Sequence, residues 1–192
     1  MLNAEPKKRL ATKASFAPIM NDLKNRFPHY SSENVIVIVA KEQALYLLHN
    51  GIPVEKHIIS TSEFGIGNQA GSNKTPVGVH IVTEKFGTNA KIGTIFKARV
   101  NTGKIAKILT KKGQRSNADN VTSRILWLSG LEKGINKGGR VDSHSRYIYI
   151  HGTDEEGRLG TPASHGCIRM KNQAVINLYK KIPLKTLVVI LP

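Results

Sequence analysis

After its leading asparagine, the stretch "NVIVIV" at 34–39 consists only of β-branched residues. Side chains branched at Cβ are stiff at χ1, lose freedom in a helix and pack well on a pleated surface. Residues 34–40 are therefore predicted to form a buried strand, and the chain has to build a sheet around it. The segment "ALYLLHNGIPVEKHIIST" at 44–61 is divided by Asn50-Gly51, the pair that supplies the positive-φ residues of a tight hairpin turn, so two strands are expected. "VGVHIVTEKF" (77–86), "SRILWLSGL" (123–131), "SRYIYIHGT" (145–153) and "KTLVVIL" (185–191) also read as strands. Between them, residues 62–78 hold four glycines, two asparagines and a proline, which is loop chemistry.

Three stretches carry helical spacing. "APIMNDLKNRF" places Ile19, Met20, Leu23 and Phe27 at helix-like intervals. "NQAVINLYKKI" (172–182) is predicted to be capped by Asn172 and to bury Val175, Tyr179 and Ile182, with Lys180 and Lys181 at its end and Pro183 following. "TGKIAKILTKKGQR" (102–115) groups Ile105, Ile108 and Leu109 apart from Lys104, Lys107, Lys111 and Lys112, as a short basic amphipathic helix or an excursion off the sheet would. Strands dominate and helices do not alternate with them, which argues against a parallel doubly wound sheet. The expected fold is mainly β with appended helices: a mixed or antiparallel β-sandwich or open barrel. Residues 1–33 read as a basic N-terminal segment with a short helix packed on the domain, and 34–192 as the domain itself.

Composition bounds the partners. Lys and Arg number 29 against 13 Asp and Glu, a formal net charge of +16. That balance speeds encounter with polyanions, be they nucleic acid, an anionic membrane face or an acidic polymer. A nucleic-acid-binding module is a distant alternative, but no helix-turn-helix or ribonucleoprotein motif accompanies the lysines, and aromatics are few. No window approaches ~18 consecutive apolar residues, so no membrane span is expected. The first thirty residues lack a signal-like apolar run, which predicts a cytoplasmic protein, or a cell-envelope one if the sequence is a trimmed mature form. The single cysteine, Cys167, cannot form an internal disulfide.

Cys167 lies in "SHGCIRM" (164–170), a polar loop. A thiol attacks as thiolate, and its free pKa of about 8.5 calls for a base or a positive field. His165 is two residues away, but Gly166 between them favours a sharp turn over extended chain. His165 and Gly166 are therefore expected to shape the loop, whose exposed amides suit an oxyanion hole. His151 is the better base. It ends the run "RYIYIH", where alternation puts Tyr147, Tyr149 and His151 on one face and Ile148 and Ile150 in the core. The Gly152 carbonyl can accept the second ring N–H and fix the tautomer. Asp154, Glu155 and Glu156 read as solvated loop residues. Arg169 can hold a carboxylate and favour the thiolate. A zinc site from His144, His151, His165 and Cys167 lacks a compact ligand pair. His29, His49, His57 and His80 form no constellation and read as surface or core histidines.

The stretch "HGTDEEGRLGTPASHGCIRM" resembles the active-site signature of the YkuD-type L,D-transpeptidases. "KTPVGVHIV" (74–82) is similar to that family's Thr-Pro-x-Gly segment, and 34–62 to its opening hairpins. The resemblance covers about residues 34–192. It implies Cys167 as nucleophile, His151 as base, the Gly152 carbonyl as its orienter, Ser164, His165, Gly166 and Cys167 as the oxyanion loop, and Arg169 as a substrate residue beside Tyr147 and Tyr149. It further implies acyl transfer on peptidoglycan tetrapeptide stems through a thioester, with loss of the terminal D-alanine and transfer to an amine. Water as acceptor would give an L,D-carboxypeptidase acting on muropeptides. No metal or cofactor is implied, and acylation of Cys167 by carbapenems is expected. The basic insertion at 97–122 is expected to form a flap over the groove.

Overall fold

A computed structural model of the chain describes residues 16–192. The basic tail expected ahead of the first helix lies outside the described residues. The elements run α1 (Ala17–Arg26), β1 (Asn34–Val39), β2 (Ala44–His49), β3 (Ile52–Ser60), β4 (Gly78–Phe86), β5 (Thr94–Lys97), β6 (Val100–Ile105), β7 (Val121–Gly130), β8 (Tyr149–Thr153), β9 (Ile168–Met170), α2 (Asn172–Lys181) and β10 (Leu187–Leu191). The strands form one sheet in the order β4-β10-β1-β2-β3-β9-β8-β7-β5-β6, with a further β4–β7 pairing that joins β4 to the far side. Pairings β1–β10 and β8–β9 are parallel and the others antiparallel. The protein is thus mainly β, with a mixed sheet and two appended helices.

Period-two alternation in β1 feeds two cores. Ile36 and Ile38 join Leu45, Leu126, Ile150 and Ile168 beneath Val175 and Leu178 of α2 and Ile182 just after it. Val35 and Val37 face the other way, against Phe16, Met20 and Leu23 around α1. The β-branched run that opened the sequence is therefore covered on both faces, and each fully buried Val or Ile contributes roughly 2 kcal/mol of transfer free energy. The β2–β3 turn uses Asn50 and Gly51 at φ 50° and 78°, the left-handed pair its sequence predicts.

Three local expectations are corrected, and a fourth is decided between its two forms. Residues 102–115 are not a helix but the excursion off the sheet: Val100–Ile105 is strand β6, and the chain beyond it leaves the sheet and pairs irregularly with the loop after β8. The Leu109 amide donates to Asp154 O (2.7 Å), the Gly157 amide to Leu109 O (2.8 Å) and the Gly113 amide to Gly157 O (3.1 Å). These partners lie far away in sequence, and they outweigh the helical spacing of three apolar residues. A Cβ at Gly157 would stand 2.1 Å from Lys111 O, so only glycine permits this approach.

Asn172 does not cap α2. Its side chain accepts from Thr122 Oγ1 (2.7 Å) and Ser123 Oγ (2.5 Å) and donates to Thr153 O (2.8 Å), tying the helix start to β7 and β8. The acceptor at the helix start is Glu156, whose Oε1 takes the Asn172 amide at 2.8 Å and sets a negative charge at the positive end of the helix dipole. At the other end Lys85 Nζ donates to Tyr179 O (2.7 Å) and Ile182 O (2.6 Å), satisfying carbonyls the helix leaves open.

The strand read over 145–153 begins only at Tyr149. Tyr147 sits in a tight turn at φ 56°, its amide donating to His144 O at 3.0 Å. Lastly, Asp154 and Glu155 are not solvated but 2% and 3% exposed.

Candidate active site

The site forms where β8 and β9 run parallel, with His151 in register with Arg169. Cys167 immediately precedes β9 and is half-buried. It packs on a cluster of Phe96, Ile125, Trp127 and Tyr149. Three of those residues, with Ala98, Arg99, Val121 and Tyr147, line a cleft of about 370 Å³. The sulfur accepts the Tyr149 amide at 3.4 Å and donates to Tyr147 O at 3.3 Å. Alternation from Tyr149 puts His151 on the same side of β8, and His151 is 3% exposed.

His151 Nδ1 lies 2.6 Å from Gly152 O, so Nδ1 carries the proton in the neutral ring and Nε2 is left as the basic nitrogen. Gly152 has to be glycine here, because a Cβ would meet Asn172 Oδ1 at 2.6 Å and Thr122 O at 2.7 Å. Burial, helped by the field of Arg169, pushes the His151 pKa down to about 4 against the opposing pull of the Gly152 carbonyl. Burial pushes the Cys167 thiol up to about 11, although the Tyr149 amide and the charges of Arg169 and Arg146 favour the thiolate. Near neutral pH the pair therefore rests as thiol and neutral imidazole.

The "SHGC" loop is cross-braced from both sides. Ser164 Oγ donates to Cys167 O (2.6 Å) and accepts the Gly166 amide (3.2 Å). Thr75, fully buried in the Thr-Pro-x-Gly segment, donates through Oγ1 to Gly166 O at 3.0 Å. Gly166 adopts φ 127°, a conformation that side-chain-bearing residues rarely take. Among the described residues the Cys167 amide has no acceptor, which leaves it available to a substrate oxygen. His165 points outward: Nδ1 is 3.0 Å from Asp119 Oδ2, and its ring stands 5.7 Å from that of Phe64.

Arg169 was expected to hold a carboxylate, and the carboxylates it holds in this structure are the protein's own. Only 2% exposed, it donates through Nη1 to Glu155 Oε2 (2.7 Å) and pairs through Nη2 with Asp119 Oδ1 (2.5 Å). Burial opposes charge on Glu155, but the Ser116 amide, Arg158 and Arg169 together hold its carboxyl below the usual range. Asp119 thus joins the 106–120 segment to both His165 and Arg169.

Sequence reasoning missed Glu155, Asp119, Asn172, Arg146 and Arg99. Arg146 braces the glycine-rich loop by donating to Asn68 O (2.9 Å) and Lys74 O (2.5 Å). Arg99 donates to Tyr149 Oη at 3.0 Å. Asp119, Asn172, Arg146 and Arg99 act on partners tens of positions away, and a single sequence carries no local signal for such pairs. Tyr147 and Tyr149, by contrast, were both expected beside the site, and both line the cleft.

Comparison with known proteins agrees with this architecture. The family described as the L,D-transpeptidase catalytic domain (YkuD) matches residues 33–190. The Bacillus subtilis (strain 168) protein YqjB, provisionally named an L,D-transpeptidase, is 49% identical over 45 residues, which is 23% of this chain and 26% of that protein. L,D-transpeptidase 3 from Mycobacterium tuberculosis, solved with a faropenem-derived adduct, superposes with a TM-score of 0.51 at 15% identity, covering 83% of this chain and 60% of that one. An L,D-transpeptidase from Xylanimonas cellulosilytica gives a TM-score of 0.44 at 20% identity, covering 85% and 62%. This chain thus spans about three fifths of the solved chains it resembles. With the family match running across most of its length, the chain belongs to the YkuD family of L,D-transpeptidase catalytic domains.

Proposed function

We propose that the protein transfers acyl groups on peptidoglycan tetrapeptide stems, with Cys167 as nucleophile and His151 as base. One observation carries this reading: a lone cysteine packs on residues that line an apolar cleft and touches β8 at Tyr149, two residues before a buried histidine whose Nδ1 is fixed on Gly152 O. Because the resting pair is neutral, proton transfer accompanies attack. His151 Nε2 takes the thiol proton while Sγ bonds to the carbonyl carbon of the third stem residue. The oxygen that becomes negative is met by the free Cys167 amide and its neighbours in the 164–167 loop. On collapse the C–N bond to the terminal D-alanine breaks, His151 returns the proton to the leaving amine, and a thioester remains. An amine from a second stem then attacks the thioester, yielding a crosslink and freeing the thiol.

In this reading Arg169 positions the loop through Glu155 and Asp119. Tyr147 and Tyr149 supply the apolar wall. The test is mass spectrometry of a disaccharide tetrapeptide incubated with the protein, with and without an amine acceptor. Crosslinked or amine-exchanged products support the reading. Loss of alanine alone assigns water as the acceptor and makes the protein an L,D-carboxypeptidase. No product and no adduct on Cys167 would overturn it.

A further inference from the structure

Arg99 sits where the β5–β6 hairpin turns back, and both residues of that turn, Ala98 and Arg99, are left-handed at φ 44° and 70°. Neither is glycine or asparagine, the residues that such a turn favours. The consequence of this backbone is that the Arg99 side chain is carried over the cleft. Its guanidinium stands 4.5 Å from the Trp127 ring centroid and 5.3 Å from that of Tyr147, and it donates to Tyr149 Oη at 3.0 Å. Trp127 is itself held by Nε1 donating to His144 O (3.1 Å) and by the His144 ring stacked on it at 4.0 Å.

A guanidinium lying on aromatic faces keeps its in-plane donors free. Of five N–H groups one is used on Tyr149, and the planar fork that remains matches a carboxylate. Among the described residues no carboxylate pairs with it. Glu84, whose field reaches it, hydrogen-bonds His144 instead at 3.2 Å. Cys167 packs on residues that line the same cleft, and the two other arginines whose charges reach it are already occupied, Arg169 by Glu155 and Asp119 and Arg146 by the carbonyls of Asn68 and Lys74.

We propose that Arg99 is a substrate-binding residue that receives a carboxylate of the acyl donor flanking the scissile carbonyl. Two carboxylates of a stem fit: the terminal one of the leaving residue and the side-chain one of a diamino-dicarboxylic third residue. The proposal rests on the acyl-transfer reading above and names which group at the site selects the donor.

The test compares three synthetic tetrapeptide donors: one with both carboxylates free, one amidated at the C-terminus and one amidated on the third residue's side chain. Each is given to the wild-type protein and to Arg99→Gln. Wild type is expected to favour the free donor over one of the amides by about 10- to 100-fold in kcat/KM. Which amide loses rate identifies the carboxylate. Arg99→Gln should lower turnover of the free donor so that the ratio between the free donor and that amide falls to near one, with the melting temperature unchanged. Arg99→Lys should restore part of the preference. If wild type shows no preference, or Arg99→Gln keeps it, the Arg99 proposal is overturned while the acyl-transfer reading stands. If wild type turns over none of the three donors, the acyl-transfer reading itself falls.

Discussion

The two walls beside Cys167 treat a positive charge in opposite ways. On the β9 side Arg169 is closed in by Glu155 and Asp119 and barely touches solvent. On the hairpin side Arg99 lies half-buried across Trp127 and Tyr147, and among the described residues no acid pairs with it. Removing one partner of a buried pair strands the other charge, whereas a cation on an aromatic face is paired only loosely and can exchange water for a ligand. The first wall is therefore scaffold, and the second is open to selection by ligand. An arginine's position near a nucleophile does not reveal its task. What already occupies its donors does.

The largest test addresses what the walls enclose. Cys167→Ala should abolish thioester formation, and His151→Ala should slow it by about 10²- to 10⁴-fold in single-turnover assays. Full activity in the His151 variant would remove the base from between the walls. Next, Arg169→Leu should lower unfolding free energy by about 1–3 kcal/mol in denaturant melts, because Glu155 stays buried with only Arg158 and the Ser116 amide to hold its charge. An unchanged midpoint with a raised KM would return Arg169 to the substrate and erase the contrast.

The pH dependence comes third. His151 and His80 are both pushed down to about 4 by burial, so the folded state resists protonating them while the unfolded chain takes up protons from about pH 6.5 downward. Their stabilising effect is complete above pH 6.5 and is lost as pH falls toward 4, by roughly 3 kcal/mol for each group at most. Urea melts between pH 4.5 and 7 read this slope. The acid limb of kcat/KM should likewise fall near pH 4, and a limb near 6.5 would contradict a buried neutral base.

His165→Ala should cost only about 10-fold, by loosening the Asp119 link that braces the loop. Smallest of all is the thermal effect of Arg99→Gln, where an unshifted melting temperature is expected. A large drop there would make the hairpin wall scaffold as well.

Much of the fold was legible because local chemistry and tertiary demand agreed. "NVIVIV" has no good alternative to a buried strand, and Asn50-Gly51 forces its turn. The His151–Gly152 contact was legible for the same reason, since a ring and the next carbonyl are neighbours along the chain. The failures share a cause. Lys-rich residues 102–115 have helical spacing, but their backbone partners are Asp154 and Gly157, which no local pattern announces. Asn172 has the chemistry of a cap, yet Thr122, Ser123 and Thr153 claim its side chain, and Glu156 from a loop accepts the helix's first amide. Asp154 and Glu155 look like solvated acids until their partners are known, the two Asn120 amides for the first and Arg158 with Arg169 for the second.

The raised thiol pKa has a consequence beyond turnover. Peroxides and other small oxidants attack the thiolate, and the burial that pushes the Cys167 thiol up to about 11 disfavours that form at neutral pH. Cys167 is the one cysteine of these 192 residues, so none of them can take a sulfenic acid there into a disulfide. In the acyl-transfer reading proposed above, the same burial keeps the resting thiol quiet toward chance reagents until an acyl donor is bound.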